Sequence, residues 1–313
     1  MTTAAPDDVE EVFLTDLHMH GLLLSTGVAG LYGRGSRLAD VLERLESLIT
    51  RLGRTPDTEI MRFPPVMSRR TLEKCGYFDS FPQLAGSIYT FTGDEDAHIC
   101  LQQAILSGED RAGLQSLSDM ALAPVVCYSV YPQMRGELPL SGRTVDVQNF
   151  CFRHEPSRDP GRMQSFLMRE FVYAGELTAV LAWRDGWIAR GRRFLAALEL
   201  DPQVAPANDP FFGTAARLMA ASQRVQNLKF ELLAPVGLTE RGTAVMSCNY
   251  HLDHFAGLFE VRLPSGEPAH TACVGFGMER LSLALFRRHG FDIEAWPSGV
   301  RALLWQDAPL DMR

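Results

Sequence analysis

Two short runs in this chain hold residues whose types could grip a nucleotide. The first is Phe152-Arg153-His154-Glu155, followed after a polar loop by Arg162 and then Phe166. Arg153 and Glu155 are two apart, so on a strand they share a face. An arginine there can hold a phosphate through two parallel hydrogen bonds, and a carboxylate can accept from an amino group. Arg162 leaves the loop and can return over that face, while Phe166 offers a flat ring on which a purine could stack. The second run is Gly275-Phe276-Gly277-Met278-Glu279-Arg280, passing from an expected strand into an expected helix. Glycines let a ligand approach the backbone, a helix N-terminus favours a phosphate, and Arg280 lies on the first turn within reach of that anion. Taken singly, these runs also suit a surface hairpin with an ordinary ion pair and a tight strand-to-helix turn.

Such residues need elements to hold them. Residues 143–155 carry Val145, Val147, Phe150 and Phe152 in a strand-like pattern, and 163–176 read as a second strand. The loop between them, bounded by Pro156 and Pro160-Gly161, makes the pair an antiparallel hairpin. Earlier, Leu38, Val41, Leu42, Leu45, Leu48, Ile49 and Leu52 recur at helical spacing and predict an amphipathic helix over 36–52. Residues 59–67 read as an extended segment ending at Pro64-Pro65. The run MALAPVVCYSVY (120–131) is β-branched and aromatic enough to predict a buried strand after Pro124. Residues 177–199 and 211–225 read as helices. KFELLAPV, GTAVMSCNYHL, GLFEVRL and HTACVGFG read as short strands, and MERLSLALFRRHG as a closing helix. Strands gather in the centre with helices at the flanks and no β-α-β-α rhythm, which predicts an α+β class. Residues 1 to about 10 read as a disordered tail.

Bulk properties narrow the function. A 313-residue chain that is 46% hydrophobic and 22% charged has the composition of a soluble protein. No apolar run approaches the ~20 residues that span a bilayer, so no membrane association is expected. Thirty basic against thirty-eight acidic residues give a formal charge of −8. Affinity for nucleic acid comes largely from Lys and Arg, so a dedicated nucleic-acid binder is disfavoured. The six cysteines are widely spaced with no C-x-x-C pair, and the acidic N-terminus does not read as a secretory signal. The expected setting is the cytoplasm, with most cysteines serving as small core hydrophobes.

Together and in order, the two runs resemble the second and third signature motifs of class II aminoacyl-tRNA synthetases. GLYGRGSRLADVLERLESLI with EIMRFPPVMSRRTLEKCGYF is similar to the first motif in its seryl-type form. The likeness runs from about Gly30 to Gly290, which divides the chain into an N-terminal extension, 1–29, and a catalytic domain, 30–313. It implies an antiparallel sheet flanked by helices and a homodimer through the first motif, ending at Pro65. By this resemblance Arg153 holds the α-phosphate of ATP, Glu155 the adenine amino group and Phe166 the adenine face. Arg162 and Arg280 hold the outer phosphates, and Arg153 and Arg280 carry the catalysis.

The departures from the family are as informative. The long helical arm with which bacterial seryl enzymes grip tRNA is missing, because only about thirty residues precede the first motif. The threonine-x-glutamate that reads serine is replaced by APVVC, ending at Cys127. With Glu176 and Cys273, this resembles the zinc site of the methanogen-type seryl enzymes, where the substrate amine takes an open position on the metal. Two thiolates and a carboxylate do leave one tetrahedral position free. His18, His20, His251 and His254 are competing ligands but read more simply as loop or core histidines.

A seryl-type, zinc-using core without a tRNA arm resembles the amino acid:[carrier protein] ligases. That family's reaction makes an aminoacyl adenylate from ATP and glycine or alanine, then passes the aminoacyl group to the phosphopantetheine thiol of a small carrier protein. No tRNA partner is expected. Mg2+ accompanies the ATP. The acid that the seryl family supplies for magnesium falls at Ala244, leaving Glu231 or Glu260 as substitutes. Asn249 is expected to line the amino-acid pocket, and the stretch from Phe211 to Lys229 to offer a carrier surface. The alternatives are an armless synthetase that charges tRNA and a non-catalytic paralogue.

Overall fold

The computed structural model describes residues 6–214, 216–237 and 242–310. The chain opens with helix α1 (Pro6–Met19) and a small hairpin of β1 (Leu23–Ser25) and β2 (Tyr32–Arg34). Helix α2 (Ser36–Gly53) leads to β3 (Thr58–Arg62), β4 (Val66–Ser68) and the short helices α3 (Arg69–Lys74) and α4 (Tyr77–Ser80). Strand β5 (Ser87–Phe91), helix α5 (Glu95–Ser107) and β6 (Gln115–Leu122) form a lobe in which β4 and β5 flank β6. Then come β7 (Gly136–Glu137), the long strands β8 (Arg143–Phe152) and β9 (Ser165–Gly175), α6 (Leu177–Ala197) and β10 (Gln203–Pro206). The last part contains α7 (Ala216–Val225), β11 (Lys229–Ala234), β12 (Thr243–Tyr250), α8 (His254–Phe259), β13 (Val261–Arg262), β14 (His270–Gly277), α9 (Met278–His289) and α10 (Ser298–Trp305).

The main sheet has seven strands in the order β10-β11-β12-β14-β9-β8-β3. Every pairing in it is antiparallel except that of β3 with β8, so the fold is α+β, as the sequence predicts. Alternation along β9 divides the protein into two halves. Leu167 and Phe171 join the core shared with α2, α6 and α9. Val172 and Ala174, with Phe166 and Met168 packed alongside, face the second core around Cys127, Tyr131 and Cys273. α2 lies under the first half because its predicted apolar stripe is buried from Leu38 to Leu52.

One buried ion-pair network ties helix to sheet. Asp146 of β8 is fully buried and accepts from Arg169 Nε and Nη2 of β9 at 3.0 and 2.7 Å. It also accepts from Arg54 Nη2 at 2.6 Å. Arg169 spends its remaining donors on α2, at Glu46 O (2.6 Å) and Thr50 Oγ1 (2.8 Å).

Several expectations are corrected. The tail expected to about residue 10 is helical from Pro6, residues 1–5 lying outside those described. Phe13 and Leu17, four apart on α1, are buried in the main core and anchor it. The segment after Pro124 is not a strand but two 3-10 turns, Cys127–Ser129 and Tyr131–Met134. Its Val126 and Val130 satisfy their apolar character by burial in the second core, without sheet pairing. GLFEVRL belongs to α8 and the short β13, with Glu260 in the left-handed conformation between them. The helix expected over 211–225 begins at Ala216. Among the described residues no helix is long and apolar enough to cross a membrane.

Asp146→Ala should destabilise the protein by about 3–5 kcal/mol in urea melts, because it strands Arg169 in a dry interface. A pH signature accompanies this carboxylate. Burial would raise its pKa, but the hydrogen bonds and charge of Arg169, with the hydrogen bond of Arg54 and the charge of Arg62, outweigh burial and hold it below the ordinary 3.8. Its stabilisation is therefore complete above that value and is lost as pH falls through the lower folded value. Acid melts of wild type should show this loss, and those of Asp146→Ala should lack it.

Candidate active site

The second face of the sheet opens into a cavity of about 260 Å³. Its floor comes from β9, β12 and β14, held in a fixed register. Glu170 lies opposite Gly275, Met168 opposite Gly277, and Asn249 opposite Cys273. The site-facing residues of β14 are thus Cys273, Gly275 and Gly277, and the two glycines leave the floor without side chains. A Cβ at Gly275 would stand 3.4 Å from Ser247 Oγ and 3.5 Å from Glu170 Cγ, so the space above the strand is what a larger residue would fill.

At one end stand Arg153, Glu155, Phe166, Glu279 and Arg280. Strand β8 ends at Phe152, so Arg153 and Glu155 do not share a strand face as expected. Both leave on the connecting loop, which folds into the cavity. Arg153 Nε donates to Pro124 O at 3.0 Å, and its guanidinium lies 5.4 Å from the centroid of the Phe166 ring. Arg280, in the first turn of α9, donates from Nε to Gly161 O (2.7 Å) and from Nη1 to Ala244 O (3.0 Å). Burial, with Arg153 and Arg162 nearby, pulls its pKa down. It remains a cation, and an anion between these arginines would relieve their repulsion. Arg162 differs from expectation. Its side chain is 60% exposed beside Asp159 at 3.6 Å, at the rim rather than in the lining.

At the other end Cys127, Glu170 and Cys273 bring one ligand atom each within 4.8 Å of the others, all three residues buried. The expected third ligand, Glu176, is elsewhere. It is an exposed residue whose carboxylate caps α6, accepting from Thr178 N at 2.8 Å. The helix start claims Glu176, just past the end of β9, whereas Glu170 lies within the strand beside Met168 and lines the cavity. Glu170 Oε2 is buried without a hydrogen-bond partner, as a group placed to bind a cation would be. Two sulfurs and a carboxylate oxygen are a donor set that would suit zinc. Burial pushes Glu170 up to about 7, against the pull of the two thiols and Arg153. Burial likewise raises the Cys127 thiol far above its ordinary value.

Asn249 lines the cavity next to this cluster, with Nδ2 3.4 Å from Cys273 Sγ. His251 Nε2 also lies 3.6 Å from that sulfur. Its neighbour His254 instead packs on Phe255, His20 stacks on Phe291, and His18 bonds Leu23 O. Of the two substitute magnesium ligands, Glu231 lines the cavity and Glu260 does not, being an exposed partner of Arg135. A third cluster was not expected from the residues alone. Lys229 Nζ meets Asp209 at 2.5 Å and Glu231 at 3.3 Å, and Gln223 of α7 bonds both faces of Asp209. Nothing in spacing links positions 209, 223 and 229, which come together only through their shared contacts with Asp209.

This sheet, with its motif-bearing hairpin and strand-to-helix turn around one cavity, defines a catalytic core of the class II aminoacyl-tRNA synthetase kind. The seryl-tRNA synthetase of Methanopyrus kandleri, solved with a tRNASec of A. aeolicus, superposes with a TM-score of 0.78 at 19% identity, over 94% of this chain and 60% of that one. A prolyl-tRNA synthetase of Cryptosporidium parvum, solved with halofuginone and AMPPNP, gives 0.62 at 14% identity, over 89% and 52%. Within that class the chain belongs to the amino acid–[acyl-carrier-protein] ligases. It is 46% identical over 280 residues to amino acid–[acyl-carrier-protein] ligase 2 of Bradyrhizobium diazoefficiens, covering 89% of this chain and 84% of the relative. Ligase 1 of the same organism is 44% identical, with 90% and 87% covered. The type-2 serine–tRNA ligase of M. kandleri is 26% identical, and the chain spans 52% of its length. No protein-family model matches the chain.

Glu170→Gln, Cys127→Ser and Cys273→Ser should each lose bound zinc by metal analysis, while Glu176→Gln keeps it. Because the buried cluster holds protons near neutral pH that zinc must displace, zinc affinity should rise from pH 6 to pH 8 in chelator competition. An affinity that is flat across this range would contradict the burial of the ligands.

Proposed function

We propose that this ligase activates a small amino acid with ATP and transfers it to the phosphopantetheine thiol of a carrier protein. The observation that carries the reading is one continuous cavity with a nucleotide-type end and a metal-type end on the same strands. In this reading Arg153 meets the α-phosphate, Glu155 the adenine amino group, Phe166 the adenine ring and Arg280 the outer phosphates. Arg162 completes the phosphate set by turning inward from the rim. The amino-acid carboxylate attacks the α-phosphorus, and pyrophosphate leaves with its magnesium. The carrier thiol, giving up its proton, then attacks the adenylate carbonyl, and AMP leaves. Zinc held by Cys127, Glu170 and Cys273 would supply a Lewis-acid position for a neutral α-amine, and Asn249 would stand beside it. The chain's contribution is positioning and fixed charge, and no protein nucleophile is required.

The amino acid is glycine or alanine on this reading, since the space around the cluster is confined by Tyr131, Phe255 and His251. Helix α7 is proposed as carrier-facing. Gln223 ties it to the cavity wall, while Leu218 and Val225 are 75% and 82% exposed. The edge strand β3, with Ile60 exposed, supports the homodimer expected from the first motif. The proposed setting is the cytoplasm, in keeping with six free cysteines.

The test offers labelled glycine, alanine and serine with ATP to a holo-carrier protein and, in parallel, to total tRNA. Label on the carrier thiol alone is the expected result. Label on tRNA alone would make the chain an armless synthetase, which the likeness to type-2 serine–tRNA ligases makes the natural alternative. Arg153→Ala and Arg280→Ala should each lower amino-acid-dependent pyrophosphate exchange at least 100-fold, on the order of losing one charge aimed at the transition state. Unchanged exchange would overturn the nucleotide assignment.

A further inference from the structure

The nucleotide end of the cavity is held from behind by a part of the chain with no place in the chemistry. Phe166, the ring expected under adenine, sits between two residues whose polar groups are pinned by other elements. On one side is Gln164, buried and bonded in four directions. Its amide donates to Gly30 O at 2.6 Å, and its Nε2 donates to Ala29 O at 2.8 Å. Its Oε1 lies 3.2 Å from His154 Nδ1, and its carbonyl accepts from the Arg153 amide at 2.9 Å. On the other side is Leu167, whose amide donates to both carboxylate oxygens of Glu279 at 3.0 and 2.9 Å. Glu279 is buried and is matched by Arg34, whose guanidinium pairs with it and lies 4.6 Å from the centroid of the Phe150 ring.

Both anchors lead back to one place. Ala29 and Gly30 belong to the turn that joins β1 to β2, and Arg34 is the last residue of β2. Gly30 has φ +74°, and a Cβ there would stand 3.2 Å from Gln164 Cγ, so both the conformation and the approach call for glycine. The hairpin touches Gln164 on one side of Phe166 and, through Glu279, Leu167 on the other.

We propose that the β1–β2 hairpin, through Gly30 and Arg34, positions Phe166 and Arg153 and so sets the affinity for the nucleotide without touching it. This rests on the reading of that end as an ATP site. The hairpin acts as a brace: it leaves the metal end alone, because its hydrogen bonds and ion pairs toward the cavity, among the described residues, go to Gln164 and Glu279 and not to Cys127, Glu170 or Cys273. Misplacing a binding group by a fraction of an ångström is costly.

The test is calorimetric titration of the full-length, zinc-loaded protein with Mg-ATP, comparing wild type, Arg34→Gln, Arg34→Lys and Gly30→Ala. Arg34→Gln and Gly30→Ala should weaken ATP binding roughly tenfold, with Arg34→Lys between them and wild type. Zinc content and the KM for the amino acid should stay at wild-type values, which a general loosening of the fold would not allow. Gly30→Ala leaves every charge in place and carries the expectation alone should Arg34→Gln fail to fold. ATP binding at wild-type strength in either folded variant overturns the brace, as does a parallel loss of zinc and amino-acid affinity. Wild-type protein that binds no Mg-ATP would instead overturn the nucleotide reading itself.

Discussion

The paired charges of Arg169 and Asp146 constrain everything on the far side of the sheet. A strand turns successive side chains to opposite faces, so a slip of one residue would exchange the two environments. In β9 such a slip would put Arg169 among the cysteines and Glu170 under α2. The ion pair forbids it, because Asp146 accepts two hydrogen bonds from Arg169 and the rest of that guanidinium is fastened to α2. The first motif therefore does more than supply a helix: its Glu46 carbonyl and Thr50 hydroxyl hold the register in which Glu170, Met168 and Phe166 face the cavity. The two chemical ends of the site follow from one pairing on its reverse side.

Much of this was legible in the residues. The apolar stripe of α2, the alternation of β8 and the proline-bounded loop before β9 define the hairpin, and the glycines before Met278 define the turn into α9. Arg153, Glu155, Phe166 and Arg280 follow from those elements, and all four line one cavity. What was not legible depends on competition between local and distant demands. Val126 and Val130 have strand-like side chains, but the chain there turns tightly and buries them without a sheet. Glu170 stands in the middle of β9 and Glu176 just past its end, and both have the strand parity of Phe166. The choice between them therefore rests on recognising that Glu176 sits where a helix wants a cap. Arg34 and Gln164 could not be found this way, since their meaning comes only from contacts across the fold.

On the proposed function, the site also accounts for how an acidic chain would work on a polyanion. The cations that matter are few and local, two arginines facing the cavity and a third at its rim, and each is steered by a neighbouring carbonyl or carboxylate. The remaining surface need not attract a long phosphate backbone, which agrees with a formal charge of −8. In the proposed function, a weak attraction for nucleic acid and a grip on a nucleotide are therefore compatible in one molecule.

Because both ends of the cavity stand on β9, the strand serves as a ruler. Phe166 and Glu170 are four residues apart, which at the rise of an extended chain is about 13 Å. If adenine rests at the first mark and an amino group at the second, the backbone itself sets how long the bound conjugate is. A side chain on the amino acid cannot extend along that line and must find room to one side, against rings that are already packed. Discrimination by size is then a property of strand geometry as much as of any pocket residue. Changing the permitted substrate would mean moving walls while leaving the scale untouched.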